Sequence, residues 1–322
     1  MRTWTIVTVA TLMMQVWAVV AAQEFPSKPI RMINPFAPGG PVDVIGRLVA
    51  AKLPEAWGQP IVVDNRPSAG GAIAGELVAR ARPDGYTLLI TSTTFAINAT
   101  LYPKLPYDTG KDFAAVVLIG SSPGVVTVHP SLQVASIREL IALAKRQPRE
   151  LNYASAGNGT PGHLGMEILK KQAGIEVVHV PYKGAAPAIN DALGGRVQVA
   201  SSNISAVLPH VKAGRLRALG VTSLQRWPTI PDVPTIAEEG FPGYEAINWY
   251  ALFAPVRTPA PVTAKINAEV SRMIESPEIR ERLGSLGLAP AARMSPAEFS
   301  TFFHSELVKW GLAVKASGTR PD

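Results

Sequence analysis

The sequence predicts an α/β protein of about two domains, each built on a mostly parallel sheet flanked by helices. Its 322 residues exceed the size of one average domain. Short apolar runs typical of strands alternate with runs of helical apolar spacing, and loops rich in glycine and proline separate them. Hydrophobic residues make up 47% of the chain and charged residues 17%, a composition that excludes a disordered or fibrous protein.

The predicted elements form two successive strand–loop–helix series. Strands are predicted over residues 30–34, 61–63, 88–91, 116–119, 125–128, 152–153, 177–180, 197–200, 217–221 and 249–254. Helical spacing predicts one helix with Ile73, Leu77 and Val78 on its apolar face, and two closing helices over residues 262–274 and 296–314. We expect the domain boundary near the strands at 116–119 and 125–128, because the second series begins after them.

The first 22 residues are expected to be a secretory signal peptide. Met1 and Arg2 give a positive start, residues 4–20 carry no charge, and the small residues Ala21 and Ala22 precede Gln23. We expect cleavage after Ala22, with an uncleaved membrane anchor as the alternative, because the run approaches spanning length. No second spanning stretch follows and the chain has no cysteine, so we predict a soluble bacterial periplasmic protein without disulfides.

Charge gives no indication of a nucleic-acid partner. The formal net charge is +7, but the densest basic stretches, at residues 145–146 and 215–217, are short and lack interleaved aromatic residues. We therefore interpret the basic excess as solvated surface charge.

Two glycine-containing loops are the strongest candidates for a binding site. Pro38-Gly39-Gly40 and Gly157-Asn158-Gly159-Thr160 each lie between a predicted strand and a helix start, where unpaired N–H groups and the helix dipole favour an anion. The glycines of either loop could simply allow the chain to turn. Because each half of the chain has such a loop, however, we predict a ligand cleft between the two domains that is contacted from both sides. Neither loop has the glycine spacing of a nucleotide-binding motif, and we expect no cofactor.

A hydrolase is the alternative hypothesis. Ser155, His163 and Asp191 can be written as a catalytic triad. No G-x-S-x-G motif surrounds the serine, however, and His163 falls in the first turn of a predicted helix, a typical packing or capping position. The five histidines lack spacings that would place two imidazoles on one metal ion, so no metal site is predicted.

Several motifs together resemble a known family. They are Pro35-Phe36-Ala37-Pro38-Gly39-Gly40 with Asp43, Arg82-Pro83-Asp84-Gly85-Tyr86, Leu105-Pro106-Tyr107-Asp108, His179-Val180-Pro181-Tyr182-Lys183-Gly184 and Pro231-Asp232-Val233-Pro234-Thr235. On these motifs the chain resembles the substrate-binding proteins of tripartite tricarboxylate transporters, the Bug or TctC-type family. The resemblance runs from about Pro29 to the C-terminus.

The resemblance implies a two-lobed periplasmic binding protein of the Venus-flytrap type, and not an enzyme. Such a protein captures a small carboxylate between its lobes and delivers it to a membrane permease or presents it to a sensor protein. We expect a monomer, with one lobe of residues 23–122 and 247–322 and the other of residues 123–246. A sensing module without transport uses the same cleft and stays an open alternative.

Candidate ligand-binding residues follow from the matched motifs and the polar strand ends: Phe36, Pro38, Gly39, Gly40, Ser92, Thr93, Ser155, Asn158, Gly159, Thr160, Tyr182, Asp191 and Asn203. Asp191 resembles the partner of a ligand amino or hydroxyl group in some members, and a helix-surface role is equally open. The chain departs from the family pattern at Ala200-Ser201-Ser202-Asn203 and at Tyr250-Ala251, so the identity of the acid is not predicted.

Overall fold

The computed structural model describes residues 25–321, so the predicted signal peptide and its cleavage site lie outside the described residues. The first half of the fold contains β1 (Ile30–Asn34), α1 (Pro41–Trp57), β2 (Ile61–Asn65), a 3-10 turn (Ala69–Gly71), α2 (Ala72–Ala79), β3 (Thr87–Ser92), α3 (Thr94–Leu101) and β4 (Phe113–Val128). These elements follow the predicted alternation of strand, loop and helix.

The second half starts with α4 (Ile137–Arg146), β5 (Asn152–Ser155), α5 (Pro161–Ala173), β6 (Val178–Pro181), α6 (Ala185–Leu193), β7 (Val199–Asn203), α7 (Ile204–Lys212) and β8 (Arg217–Val221). It is followed by β9 (Ile247–Pro255), α8 (Ala260–Glu275), α9 (Pro277–Ser285), β10 (Ala289–Pro290) and α10 (Pro296–Ser317). Within residues 25–321, none of the helices has both the length and the apolar character needed to cross a bilayer.

Strand β4 belongs to two sheets. From Phe113 to Pro123 it pairs antiparallel with β9, which continues the order β2-β1-β3-β9-β4. From Gly124 to Val128 it pairs with β7 on one edge and β8 on the other, and β7 continues to β5 and β6. The prediction of two short strands here was wrong, because one strand of 16 residues changes partners at Pro123 and Gly124.

The α/β prediction is confirmed, but the sheets, predicted to be mostly parallel, are mixed in direction. The pairs β1–β2, β1–β3, β5–β6 and β5–β7 are parallel, as expected for strand–helix–strand units. The pairs that involve β4 or β9 are antiparallel. Strand β4 runs from one sheet into the other, whereas both partners of β9 lie in the first sheet.

The apolar face predicted for α2 is partly wrong. Ile73 and Leu77 are 51% and 38% exposed, and Val78 is buried beside the small residues Ala74 and Gly75. A Cβ on Gly75 would lie 2.2 Å from the ring of Tyr107, so α2 packs through its small residues.

Helix α10 covers the first sheet through aromatic packing. Phe303 lies with its ring centroid 4.7 Å from Phe253 of β9 and 5.8 Å from Phe95 of α3. Glu306, 3% exposed, accepts hydrogen bonds at 2.8 Å from the indole N–H groups of Trp249 and Trp310. A buried carboxylate with two N–H donors is well satisfied, so α10 and β9 are fixed to each other.

Candidate functional site

The loop between β1 and α1 is held by Asp43. Its Oδ2 accepts the Gly39 N–H at 2.9 Å and the Arg47 Nε–H at 2.8 Å, and its Oδ1 accepts Asn65 Nδ2 at 2.9 Å. The pKa of Asp43 is lowered to about 2, mainly by the hydrogen bond from Arg47. Burial raises this pKa, and the hydrogen bonds from Gly39 and Asn65 lower it further. Gly39 has a φ of +84°, a conformation that suits glycine. The loop thus ends at Gly40, the N-cap of α1, with a fixed backbone.

The loop between β5 and α5 is held by Ser155 and two stacked imidazoles. Ser155 Oγ lies 2.7 Å from His179 Nε2, and the Gly159 N–H donates to His163 Nδ1 at 3.1 Å. The rings of His163 and His179 are parallel, with centroids 3.9 Å apart. Burial, together with the charge interactions of His163 and Lys170, lowers the pKa of His179 to about 3, so its imidazole is neutral at pH 7.

Helix α5 begins close to the end of β7. Thr160 is its N-cap and accepts the His163 N–H at 3.4 Å. A Cβ on Gly162 would lie 2.5 Å from the carbonyl oxygen of Ser201, a separation that only glycine allows. The N-terminus of α5 therefore lies directly against β7.

Two adjoining cavities lie beside these helix N-termini. The α1-side cavity, of about 420 Å³, is lined by Phe36, Ala37, Pro38, Gly40, Pro41, Val42, Ser92, Thr94, Pro161, Asn248 and Tyr250. The α5-side cavity, of about 170 Å³, is lined by Gly124, Ala156, Thr160, Pro161, Gly162, Ala185, Ser201, Ser202, Asn203, Thr222, Ala246 and Asn248. Pro161 and Asn248 line both cavities, and none of these lining side chains is charged.

Six of the candidate residues line these cavities: Phe36, Pro38, Gly40, Ser92, Thr160 and Asn203. Gly39, Asn158 and Gly159 belong to the two loops and Ser155 ends β5, but these four residues line neither cavity. Thr93, which directly follows β3, is fully buried. Its hydroxyl accepts the backbone N–H of Trp249 at 2.8 Å and so links this end of β3 to β9.

Tyr182 and Asp191 also line neither cavity. Tyr182 Oη donates to Asp191 Oδ2 at 2.7 Å, and Arg196 donates to Asp191 Oδ1 at 2.7 Å. The hydrogen bonds from Tyr182 and Arg196 lower the pKa of Asp191. Both carboxylate oxygens thus have partners in this conformation, and a ligand role for Asp191 stays a prediction.

The predicted list omitted several cavity residues from distant parts of the chain. Asn248 and Tyr250 come from β9, Ser202 from β7, and Thr222 directly follows β8. The sequence indicated Ser202 and Tyr250 only as departures from a family pattern. Asn248 is a polar residue at the start of a largely apolar strand, and that contrast is the one sequence feature that could have revealed it.

The hydrolase hypothesis does not fit the geometry. Ser155 Oγ pairs with His179 Nε2, and Ser155 is fully buried. The Nδ1 of His163 accepts a backbone N–H, and Asp191 is bonded to Tyr182 and Arg196. Ser155 thus pairs with His179, and Asp191 with Tyr182 and Arg196, which is unlike the relay of a Ser–His–Asp triad.

Comparison with known proteins agrees with this geometry. Residues 45–319 match the family described as the tripartite tricarboxylate transporter family receptor. A Pseudomonas sp. (strain P51) protein, the UPF0065 protein in the tcbD-tcbE intergenic region, is 42% identical over 287 residues, covering 89% of this chain and 85% of the relative.

Two solved structures from Rhodopseudomonas palustris are similar over nearly the whole fold. Rpa4515 with adipate has a TM-score of 0.80 and 36% identity, covering 93% of this chain and all of that one. MatC with bound malate has a TM-score of 0.75 and 33% identity, covering 90% of this chain and all of that one.

A two-lobed α/β fold with cavities beside two helix N-termini is typical of a solute-binding protein. The chain belongs to the tripartite tricarboxylate transporter family of receptors, which are periplasmic binding proteins. The predicted family and the two-lobed fold are confirmed. The family is one of receptors, and two relatives of known structure, Rpa4515 and MatC, hold adipate and malate, which confirms the prediction that the protein is not an enzyme.

Proposed function

We propose that this protein captures a small organic carboxylate in the two cavities between its lobes and delivers it to a tripartite tricarboxylate-type permease. The observation that carries the proposal is the position of the cavities, each beside the N-terminus of a long helix. Amide groups of a first helical turn and the helix dipole stabilise a carboxylate without a cationic side chain. The adipate and malate in the related structures belong to the same ligand class.

The absence of lining charge favours ligands with one or two carboxylates. A dicarboxylate can place one group at the α1 N-terminus and the other at the α5 N-terminus. A third carboxylate would meet only neutral side chains among the residues that line the cavities, and burial of an uncompensated charge is costly. We therefore expect tricarboxylates to bind more weakly than dicarboxylates.

The lobes would be residues 23–122 with 247–322 and residues 123–246. The change of partners in β4 at Pro123 and Gly124, and the start of β9 at Ile247, support this division. A ligand that contacts both lobes stabilises the closed state by its differential affinity.

The first test is thermal unfolding of the refolded protein, free of carried-over ligand, against aromatic, dicarboxylic, tricarboxylic and amino acids. At about 100 times its dissociation constant a ligand adds about 2.7 kcal/mol of stability, a shift of several degrees. A shift with carboxylates supports the proposal. No shift with any acid in the panel would contradict it.

Export and delivery need separate measurements. N-terminal sequencing of protein extracted from the periplasm tests cleavage after Ala22, with Gln23 as the expected first residue. Loss of carboxylate uptake on deletion of the gene would support delivery to a permease. Unchanged uptake with a lost transcriptional response would instead support the sensing module without transport.

A further inference from the structure

The α5-side cavity contains two buried polar atoms that the protein does not pair. In residues 25–321, neither Ser202 Oγ nor Asn248 Oδ1 has a hydrogen-bond partner. Ser202 is 3% exposed, and Asn248 has already directed its Nδ2 to Tyr250 Oη at 2.8 Å. Buried polar atoms in folded proteins are nearly always bonded, so two such atoms on one cavity indicate that a bound molecule supplies the partner.

The neighbouring polar groups of the same cavity are satisfied within the protein. Thr222 Oγ1 accepts the Gly124 N–H at 2.7 Å and donates to the Ala246 carbonyl at 2.7 Å. Asn203 Nδ2 donates to Ser122 Oγ at 2.7 Å. These two side chains are paired within the protein, in contrast to Ser202 Oγ and Asn248 Oδ1.

The chemistry of the two atoms specifies what the partner must be. A carboxamide oxygen only accepts hydrogen bonds, so Asn248 Oδ1 requires a donor. A carboxylate has no proton to donate at neutral pH, so it cannot satisfy this atom. A ligand hydroxyl has the chemistry that both atoms need, because it can donate to Asn248 Oδ1 and accept from Ser202 Oγ.

The size and lining of the cavity limit the group that carries this hydroxyl. The volume of about 170 Å³ is close to that of an engineered cavity, about 150 Å³, that holds benzene. Ala156, Pro161, Ala185 and Ala246 supply apolar surface, and no lining side chain is charged. A ring or short chain with one hydroxyl matches these walls.

We infer that the α5-side cavity binds a hydroxyl-bearing part of the ligand, so that the protein selects hydroxylated carboxylates over their deoxy analogues. The inference rests on the proposed carboxylate function and adds the substrate class. Sites that hydrogen-bond a ligand hydroxyl reject the analogue without it, because the site's own polar groups are then left unpaired.

The test is calorimetric titration of the refolded protein with matched pairs: 2-, 3- and 4-hydroxybenzoate against benzoate, and malate against succinate. We expect at least one hydroxylated acid to bind tenfold or more tightly than its deoxy partner, on the order expected for a lost hydrogen bond. Ser202→Ala should reduce this ratio severalfold, and Asn248→Leu should abolish it.

Ser271→Ala is the matched control. The Ser271 hydroxyl, on α8, is also buried and unpaired, and its residue is 1% exposed. Both serine variants should raise the unfolding midpoint of the free protein, but only Ser202→Ala should change the ratio of affinities. A folded Ser202→Ala protein therefore gives an interpretable result.

Three results would overturn the inference. Equal affinities for all matched pairs in the unchanged protein would show carboxylate capture without hydroxyl recognition, and the proposed function would survive. An unchanged ratio in Ser202→Ala would show that the selectivity arises elsewhere. Failure of every acid to bind would overturn the proposed function and the inference with it.

Discussion

The hydroxyl of Ser155 and the imidazole of His179 form a 2.7 Å hydrogen bond beneath the loop that leads into α5. The bond joins the last residue of β5 to the adjacent strand β6. Because Ser155 also accepts the Gly157 N–H at 3.2 Å, this serine fixes the backbone of the loop. This pair has the two residue types of a catalytic dyad, but its role is structural.

Replacement of Ser155 by alanine tests that role. The variant leaves His179 Nε2 and the Gly157 N–H without their partner, so the free energy of unfolding should fall by about 1–3 kcal/mol. Urea unfolding measures the change. Ser131→Ala is the control, because Ser131 forms a 2.7 Å bond with His129 at the surface and should cost less than about 0.5 kcal/mol. Equal losses in the two variants would contradict the proposed role of Ser155.

The lowered pKa of His179 makes stability depend on pH. The folded protein keeps this imidazole neutral down to about pH 3, whereas the unfolded chain takes up a proton near pH 6.5. The unfolded state therefore binds more protons between these values, and stability falls as the pH is lowered from 6.5 towards 3, by at most about 1.4 kcal/mol per pH unit. His179→Gln should show a shallower dependence in urea unfolding at pH 7 and pH 4.5. The same slope in both proteins would exclude His179 as the cause.

Asp43→Asn should loosen the loop before α1. The substitution removes the carboxylate that accepts from Gly39, Arg47 and Asn65, so both stability and ligand affinity should fall, with a loss of about 1–3 kcal/mol in unfolding. The pKa of about 2 predicts that this contribution is present above pH 4 and disappears as the pH falls through 2. Glu76→Gln is the control, since its i,i+4 pair with Arg80 is exposed and contributes little. A loss no larger than that of the control would argue against a loop-holding role.

Gly162→Ala tests the close approach of α5 to β7. The added methyl would lie 2.5 Å from the Ser201 carbonyl oxygen, so the helix N-terminus must move and ligand affinity should fall at least tenfold. Calorimetric titration with the best ligand of the panel measures this. Gly284→Ala, in α9 with open space around its Cβ, should leave affinity unchanged and add about 0.5–1 kcal/mol of stability. Normal affinity in Gly162→Ala would mean that this contact does not position the binding site.

Most helices and strands could be predicted from the sequence, because the spacing of apolar residues and the glycines and prolines of the loops determine them locally. It failed at β4, where Ser121, Ser122, Pro123 and Gly124 interrupt the apolar pattern and read as a loop. In the structure these residues lie in a strand because β9, β7 and β8 supply backbone partners from distant parts of the chain. Tertiary pairing overrides local preference here.

The candidate site was predictable only where a contiguous loop forms it. Gly40 and Thr160 were identified because a strand, a glycine loop and a helix follow each other in the chain. Ser202 and Asn248 meet on one cavity although 45 positions separate them, and no local pattern encodes that meeting. Their significance depends on the hydrogen bonds they lack, which only three-dimensional contacts reveal.

The hydrogen bonds from two indole N–H groups to Glu306 have a consequence for fluorescence spectroscopy. Trp249 directly follows Asn248 in β9, is fully buried, and is anchored through its N–H to a carboxylate that also holds Trp310. Trp249 is thus a rigidly held fluorophore next in sequence to Asn248, whose side-chain amide oxygen is proposed to contact the ligand. Tryptophan emission should therefore report occupancy of the cleft without any label, and rapid mixing would then follow ligand entry and release in real time.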